Sequence, residues 1–201
     1  METSTHRYFN LNKPHGMLSQ FIGPHKGNFL GAVDFDFPVG THAIGRLDSH
    51  SEGLLLLTTN KKITKLLFES KVPHKRTYLV LVKNIVSSQT LERLRSGVTI
   101  RIKTGVNYIT PHCDVQIVQK PEGLFAGQFE QIETWPHTWL MITLTEGKYH
   151  QVRKMVFALG HRCQRLIRLS IEDMHLGNLQ PGCVCEVSED DFFDLLKLKR
   201  N

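Results

Sequence analysis

The sequence predicts an α+β or mixed α/β fold rather than a doubly wound parallel sheet. Three observations lead there. Strand-like segments interleave with short amphipathic segments of helical spacing. Several joins are brief turns bearing glycine or proline, such as Pro14-His15-Gly16 and Glu146-Gly147, the length of hairpin connections. No glycine-rich phosphate loop of Rossmann or Walker type occurs, which argues against a nucleotide-cofactor enzyme.

Segment 7–12 alternates as a first strand, and Lys13-Pro14 stops it, because proline donates nothing to a ladder. Segment 17–21 forms the next short strand. From 23 to 40 the chain is rich in glycine, proline and aromatics and reads as a loop in which Phe29, Phe35 and Phe37 pack. His42-Ala43-Ile44 and segment 54–60 read as two buried strands joined by a polar loop. Asn60 caps a helix over 61–70, with Ile63, Leu66 and Leu67 inward and Pro73 beyond its end.

Segment 74–82 is β-branched and aromatic, hence a strand. Ser87 or Ser88 caps a helix through Arg95 with Leu91 and Leu94 inward, and Gly97 stops it. Residues 98–118 divide into two or three short strands. Residues 119–137 form a polar loop or hairpin insertion, in which Trp135 is a packing anchor or a base platform, packing being preferred. Segment 138–145 alternates as a strand. A helix follows over 150–159, burying Val152, Met155, Val156 and Leu159 at the spacing i, i+3, i+4, i+7. Short strands are expected at 165–169 and 183–187. Ser188 with Asp191 is a capping box that opens a helix through Leu198, acids in its first turn and lysines in its last.

The chain has 201 residues and a formal charge of +6, an excess that suits a polyanionic partner such as RNA. No apolar run approaches the roughly 18 residues of a membrane span, and the first seven residues lack the apolar core of a signal peptide. A cytoplasmic protein without membrane attachment is expected. Cys183-Val184-Cys185 is too close for a paired zinc knuckle, and the 11 histidines show no metal-binding spacing. No metal and no cofactor are expected.

The chemistry concentrates at Gly45-Arg46-Leu47-Asp48-Ser49-His50-Ser51-Glu52-Gly53, a knot of charge bracketed by glycines between two apolar segments. Its wording, GRLDSHSEGLLLLT, resembles the catalytic signature of RNA pseudouridine synthases of the RsuA type. The opening NKPHGMLSQF, the tyrosine strand KRTYLV and the segment from Glu146 to Met155, EGKYHQVRKM, are similar to the same family in the same order. The likeness spans roughly residues 9–187.

The resemblance implies a pseudouridine synthase fold: α+β, with a mixed, mainly antiparallel central sheet flanked by helices and an active-site cleft across it. It implies one catalytic domain over 7–190, two lobes sharing one sheet, with 191–201 as helix end and tail. Asp48 is then the essential carboxylate. Arg46 helps hold a flipped-out nucleotide, Tyr78 lies against the target base, and Arg153 pairs with the aspartate. Leu166 and Ile167 form the apolar wall of the uridine pocket. An arginine beside a carboxylate lowers its pKa and spares it from being buried as a lone charge.

Lys13, Lys148, His150 and Lys154 are candidates for RNA backbone contacts, although solvation is the simpler expectation for Lys13. Many relatives add an N-terminal S4 RNA-binding domain. No such domain is expected here, as in one branch of the family, so RNA selection is expected to fall on Lys13, Lys26, Arg101, Lys103 and the 119–137 loop. The implied activity is isomerisation of a uridine in 23S ribosomal RNA by a monomer. The alternative is a non-catalytic RNA-binding or ribosome-assembly protein on the same fold.

Overall fold

The computed structural model describes residues 6–23, 26–68, 72–103, 105–125 and 134–200. The chain divides into two compact units, one of Met1–His74 with Arg168–Asn201, the other of Lys75–Ile167. Among the described residues no helix is long and apolar enough to cross a membrane.

The first unit opens with β1 (Tyr8–Lys13), β2 (Met17–Leu18) and β3 (Asn28–Phe29), then β4 (His42–Ala43), β5 (Glu52–Thr58) and helix α1 (Ile63–Phe68). β1 and β5 are antiparallel, with Tyr8 opposite Thr58 and Lys13 opposite Gly53. Every residue of both strands is buried, which is why segment 54–57 is an unbroken leucine run rather than an alternation. Between β3 and β4, Phe35 and Phe37 pack edge-on to Phe9 at centroid distances of 5.5 and 5.7 Å. The Asn60 side chain accepts the Lys62 N–H at 3.1 Å, capping the turn that leads into α1. The expected end of that helix, at 69–70, lies outside the described residues.

The second unit contains β6 (Arg76–Lys83), α2 (Ser88–Ser96), β7 (Thr99–Lys103), β8 (Val106–Ile109), β9 (Asp114–Val118), β10 (His137–Leu144) and α3 (Gln151–Ala158). β10 pairs antiparallel with β6 on one side and β9 on the other, while β7 and β8 form a separate hairpin. Ser87 accepts the Thr90 N–H at 3.1 Å as the α2 cap, and Leu94 is that helix's buried residue. Trp135 is 67% exposed and so anchors nothing. Its neighbour Pro136 precedes a strand whose core begins at Thr138, which leaves the indole outside the apolar layer. Part of the 119–137 loop, 126–133, lies outside the described residues.

β11 (Cys163–Ile171) begins in the second unit and ends in the first, followed there by β12 (Met174–His175), β13 (Val184–Val187) and α4 (Glu189–Leu195). β13 pairs antiparallel with β1, and β12 with β11. α4 closes the first unit's core, where Phe192, Phe193 and Leu196 join Tyr8, Ile44, Leu54, Leu56, Ile171 and Met174. The Tyr8 ring lies 4.5 Å from that of Phe192, and its hydroxyl donates to Glu189 at 2.8 Å. Ser188 caps the helix by accepting the Asp191 N–H, as expected.

The helix does not run to Leu198. It ends at Leu195, and Lys197 takes φ +55°. That turn brings the Lys197 ammonium to Glu172 at 3.0 Å and Asp173 at 3.2 Å, so two carboxylates on the β11–β12 turn win the lysine from the helix dipole. Phe192 is fully buried. Phe192→Ala should therefore destabilise the protein by about 3–5 kcal/mol, read as a lowered denaturant midpoint with an unchanged slope.

Candidate active site

Arg46 and Asp48 sit on the loop between β4 and β5, Arg46 exposed and Asp48 half-buried. Gly45 enters this loop at φ +72°, a left-handed conformation that other residues resist, and a Cβ there would lie 2.5 Å from the Phe68 ring. The residues on either side of Asp48 are pinned, Leu47 to Ser19 just after β2 and Ser49 to the β1–β2 turn. The Leu47 N–H donates to Ser19 Oγ at 3.0 Å, and the same hydroxyl donates to the Leu47 carbonyl at 2.7 Å. The Ser49 carbonyl accepts the Gly16 N–H at 2.7 Å, and the Asp48 carbonyl accepts the Ser51 N–H at 2.9 Å. A carboxylate between two fastened neighbours has little freedom to drift.

Lys13 supplies the remaining fastening, and here expectation fails. It is neither solvated nor available to RNA phosphate, since it is fully buried. Its ammonium donates to the carbonyls of Met17 at 2.8 Å, Pro14 at 2.9 Å and Ser49 at 3.4 Å. Three N–H donors thus meet three carbonyls. Burial pushes the Lys13 pKa down to about 8, against the opposing pull of Glu52 and then Asp48, with Arg168 adding to the depression. Glu52, expected in the polar loop, is instead the first residue of β5 and is buried. Arg168 is also buried and donates from Nε to the Leu54 carbonyl at 2.8 Å. Sequence reasoning passed over Ser19, Glu52 and Arg168. Glu52 was visible as a carboxylate leading straight into the leucine run.

The remaining expected site residues belong to the second unit. Tyr78 is buried on β6 opposite Ile142 of β10. Leu166 and Ile167 are buried on β11. Arg153 is half-buried on α3, beside that helix's buried stripe of Gln151, Val152, Met155 and Val156, and its Nη1 lies 3.6 Å from Cys163 Sγ. Burial raises the Cys163 pKa to about 11 although Arg153 works against it, so the thiol stays protonated. Leu159 is not in the stripe. It falls past the end of the helix and is half-buried.

Lys148, His150 and Lys154 do gather at the start of α3. His150 is its cap, at φ +55°, and Lys148 is exposed. Gln151, unremarked in the sequence, organises this corner. It accepts the Lys148 N–H at 2.8 Å and donates to Glu146 at 2.7 Å, while Tyr108 donates to the other Glu146 oxygen at 2.5 Å. Of the residues expected to select RNA, Lys26 and Arg101 are exposed, and the side chain of Lys103 lies outside what is described.

A family model described as RNA pseudouridylate synthase matches residues 7–158, which include the Asp48 loop, the Tyr78 strand and α3. The chain belongs to the RNA pseudouridine synthase family. A ribosomal large subunit pseudouridine synthase E of Vibrio parahaemolyticus is 36% identical over 173 residues, 86% of this chain and 70% of that protein. A protein of the same name from Xanthomonas axonopodis pv. citri is 33% identical over 85% of this chain and 88% of its own length. A solved pseudouridylate synthase superposes with a TM-score of 0.77 at 25% identity, covering 98% of this chain and 76% of its own. This RNA pseudouridine synthase is accordingly an isomerase with the fold that its motifs implied. The pairs β1–β5, β1–β13, β4–β5, β11–β12, β6–β10, β9–β10 and β7–β8 are antiparallel, and the short pair β2–β3 is parallel.

The buried ammonium has a measurable signature. Between pH 8 and 10.5 the unfolded chain keeps the Lys13 proton that the folded chain has released. Unfolding therefore takes up a proton in this window, and this group's contribution to stability rises with pH through it. Lys13→Met cannot titrate and should lack that rise. The stability of wild type relative to the variant should grow across the window by at most about 3 kcal/mol. Denaturant titrations at neutral pH and at the top of the window test this, and a pH-independent difference would mean that the ammonium is not desolvated.

Proposed function

We propose that this synthase converts one uridine of large-subunit (23S) ribosomal RNA to pseudouridine, with Asp48 as its essential carboxylate and the target base flipped out of its stack. The observation that carries the assignment of Asp48 is its seat. It stands between Leu47, hydrogen-bonded to Ser19 just after β2, and Ser49, hydrogen-bonded to the β1–β2 turn, and within electrostatic reach of a buried lysine. The choice of RNA is supported by relatives named ribosomal large subunit pseudouridine synthase E, 33–36% identical over 85–89% of this chain.

The reaction breaks the bond from ribose C1′ to N1 of the base and makes one from C1′ to C5. The proton on C5 is lost and N1 gains one, so the product is an isomer. Neither oxidant nor cofactor enters the balance. The protein must extract the base, which costs about a few kcal/mol, and hold it. It must also present an ionised carboxylate. In this reading Arg46, Tyr78, Arg153, Leu166 and Ile167 contact the extruded nucleoside: the tyrosine offers a ring face and a hydroxyl, the leucine and isoleucine an apolar wall, and the arginines charge. Lys148, His150 and Lys154 meet the RNA backbone.

Asp48→Asn keeps the shape and removes the charge. It should abolish product while leaving RNA affinity within about two-fold, a change below 1 kcal/mol. Pseudouridine mapping of 23S RNA from a deletion strain complemented with wild type or variant reads the outcome. Full modification by the variant would remove Asp48 from the chemistry. Arg153→Ala should cost more than tenfold in kcat/KM, above about 1.4 kcal/mol of barrier. A smaller loss, measured on the same RNA, would take Arg153 out of the site.

A further inference from the structure

Tyr149 leaves 69% of its surface to solvent immediately before α3, and Phe157, in the last turn of that helix, leaves 76%. Two large exposed aromatics on one short segment ask for a partner. The Tyr149 ring is already half of a stack. It lies 3.8 Å from the His150 ring at an interplanar angle of 19°. His150 holds that pose from a left-handed backbone conformation, φ +55°, uncommon for a residue with a side chain. The corner beneath is fixed by the Glu146–Gln151–Lys148 bonds described above. The stack is therefore built in advance of any partner.

Cations stand beside it. The Lys154 ammonium is 5.0 Å from the centroid of the Tyr149 ring, and that of Lys148 is 5.2 Å from the Tyr108 ring. Lys154 and Phe157 lie on the face of α3 opposite the buried Gln151, Val152, Met155 and Val156, and the cap His150 precedes them by four and seven residues. The seven-residue step from the histidine to the phenylalanine covers about 10 Å along the axis. Rings to stack on with the Lys154 ammonium beside them suit flat bases joined by phosphates, and an apolar protein surface would leave that ammonium no partner but a ring, whereas Lys148 already has Glu146 at 4.0 Å. An ammonium resting on a ring lets go of it for a phosphate at small cost.

We propose that Tyr149 and His150, continued by Lys154 and Phe157, form a stacking platform for unpaired nucleotides of the substrate RNA other than the uridine being isomerised. Such a platform presupposes the RNA substrate proposed above, but the two stand or fall by different measurements.

The test uses the full chain and a fluorescently labelled single-stranded oligouridylate, with binding followed by anisotropy. Tyr149→Ala should weaken binding by about 5- to 150-fold, Phe157→Ala should weaken it in the same direction, and Tyr149→Phe, which keeps the ring, should bind like wild type. In turnover on ribosomal RNA, KM should rise for Tyr149→Ala by more than kcat falls. Both positions are exposed, and a circular dichroism spectrum checks that folding is intact. Binding by Tyr149→Ala within two-fold of wild type overturns the platform, as does an equal loss in Tyr149→Phe, which would assign the hydroxyl instead of the ring. Unchanged RNA affinity with altered sedimentation of the variant would also overturn it in favour of a protein contact. Tyr149-dependent oligouridylate binding by a protein that leaves 23S RNA unmodified would uphold the platform and remove the proposed target.

Discussion

A lysine ammonium sealed from water holds the Asp48 loop. Lys13 ends β1, and its Nζ reaches the carbonyls of Pro14 in the next turn and Met17 at the start of β2, and across to Ser49. An unpaired charge in such a place would cost several kcal/mol. Three carbonyl dipoles and two nearby carboxylates offset that cost, and each of them is thereby held where the lysine needs it. The dependence is mutual. The β1–β2 turn positions the lysine, the lysine fixes the carbonyl of Ser49, and the Ser19 hydroxyl fixes Leu47 on the other side. The leucines of β5 give this arrangement a rigid floor, because a fully buried strand cannot shift without exposing its side chains.

The second unit uses a neutral group for a similar purpose. The Gln151 side chain bonds one way to the Lys148 amide and the other way to Glu146, whose second oxygen is taken by Tyr108 of β8. The hydrogen bond to Glu146, with burial second, raises the Tyr108 pKa to about 12, so the phenol keeps its proton and the bond persists at any ordinary pH. A buried amide that satisfies both of its ends specifies one conformation of the turn before α3. That turn decides where Tyr149 and His150 point.

Local patterns were legible in the sequence wherever they carried their own cause. The leucine run, the Ser87, Ser188 and Asn60 caps, the stop at Gly97 and the apolar stripe at Val152, Met155 and Val156 all follow from short-range rules. Two of the failures were decided by a residue far along the chain. Nothing local tells that Lys13 will meet Ser49 or that Lys197 will leave its helix for Glu172 and Asp173. Trp135 failed in the opposite sense: apolar type suggested burial, and chain position denied it. The family motifs singled out Asp48, Tyr78 and Arg153 by wording alone. They gave no hint that the lysine of NKPHG is interior or that Gln151 is structural.

Four charged groups of the first unit feel one another at Lys13: the lysine itself, Glu52, Asp48 and Arg168. Two are cationic and two anionic, so the group is formally neutral, which is what makes interior placement tolerable. Their exposure is not shared evenly. Lys13, Glu52 and Arg168 are buried, and only Asp48 is half open. The three sealed members cannot trade their interactions for water, so the field they set up at the fourth is fixed before any substrate arrives. A site whose dipoles and charges are already oriented needs no reorganisation at the moment of reaction. Of the two carboxylates on the stretch that leads into β5, Glu52 is therefore committed to the fold, and Asp48 alone keeps an opening to solvent, as the role proposed for it requires.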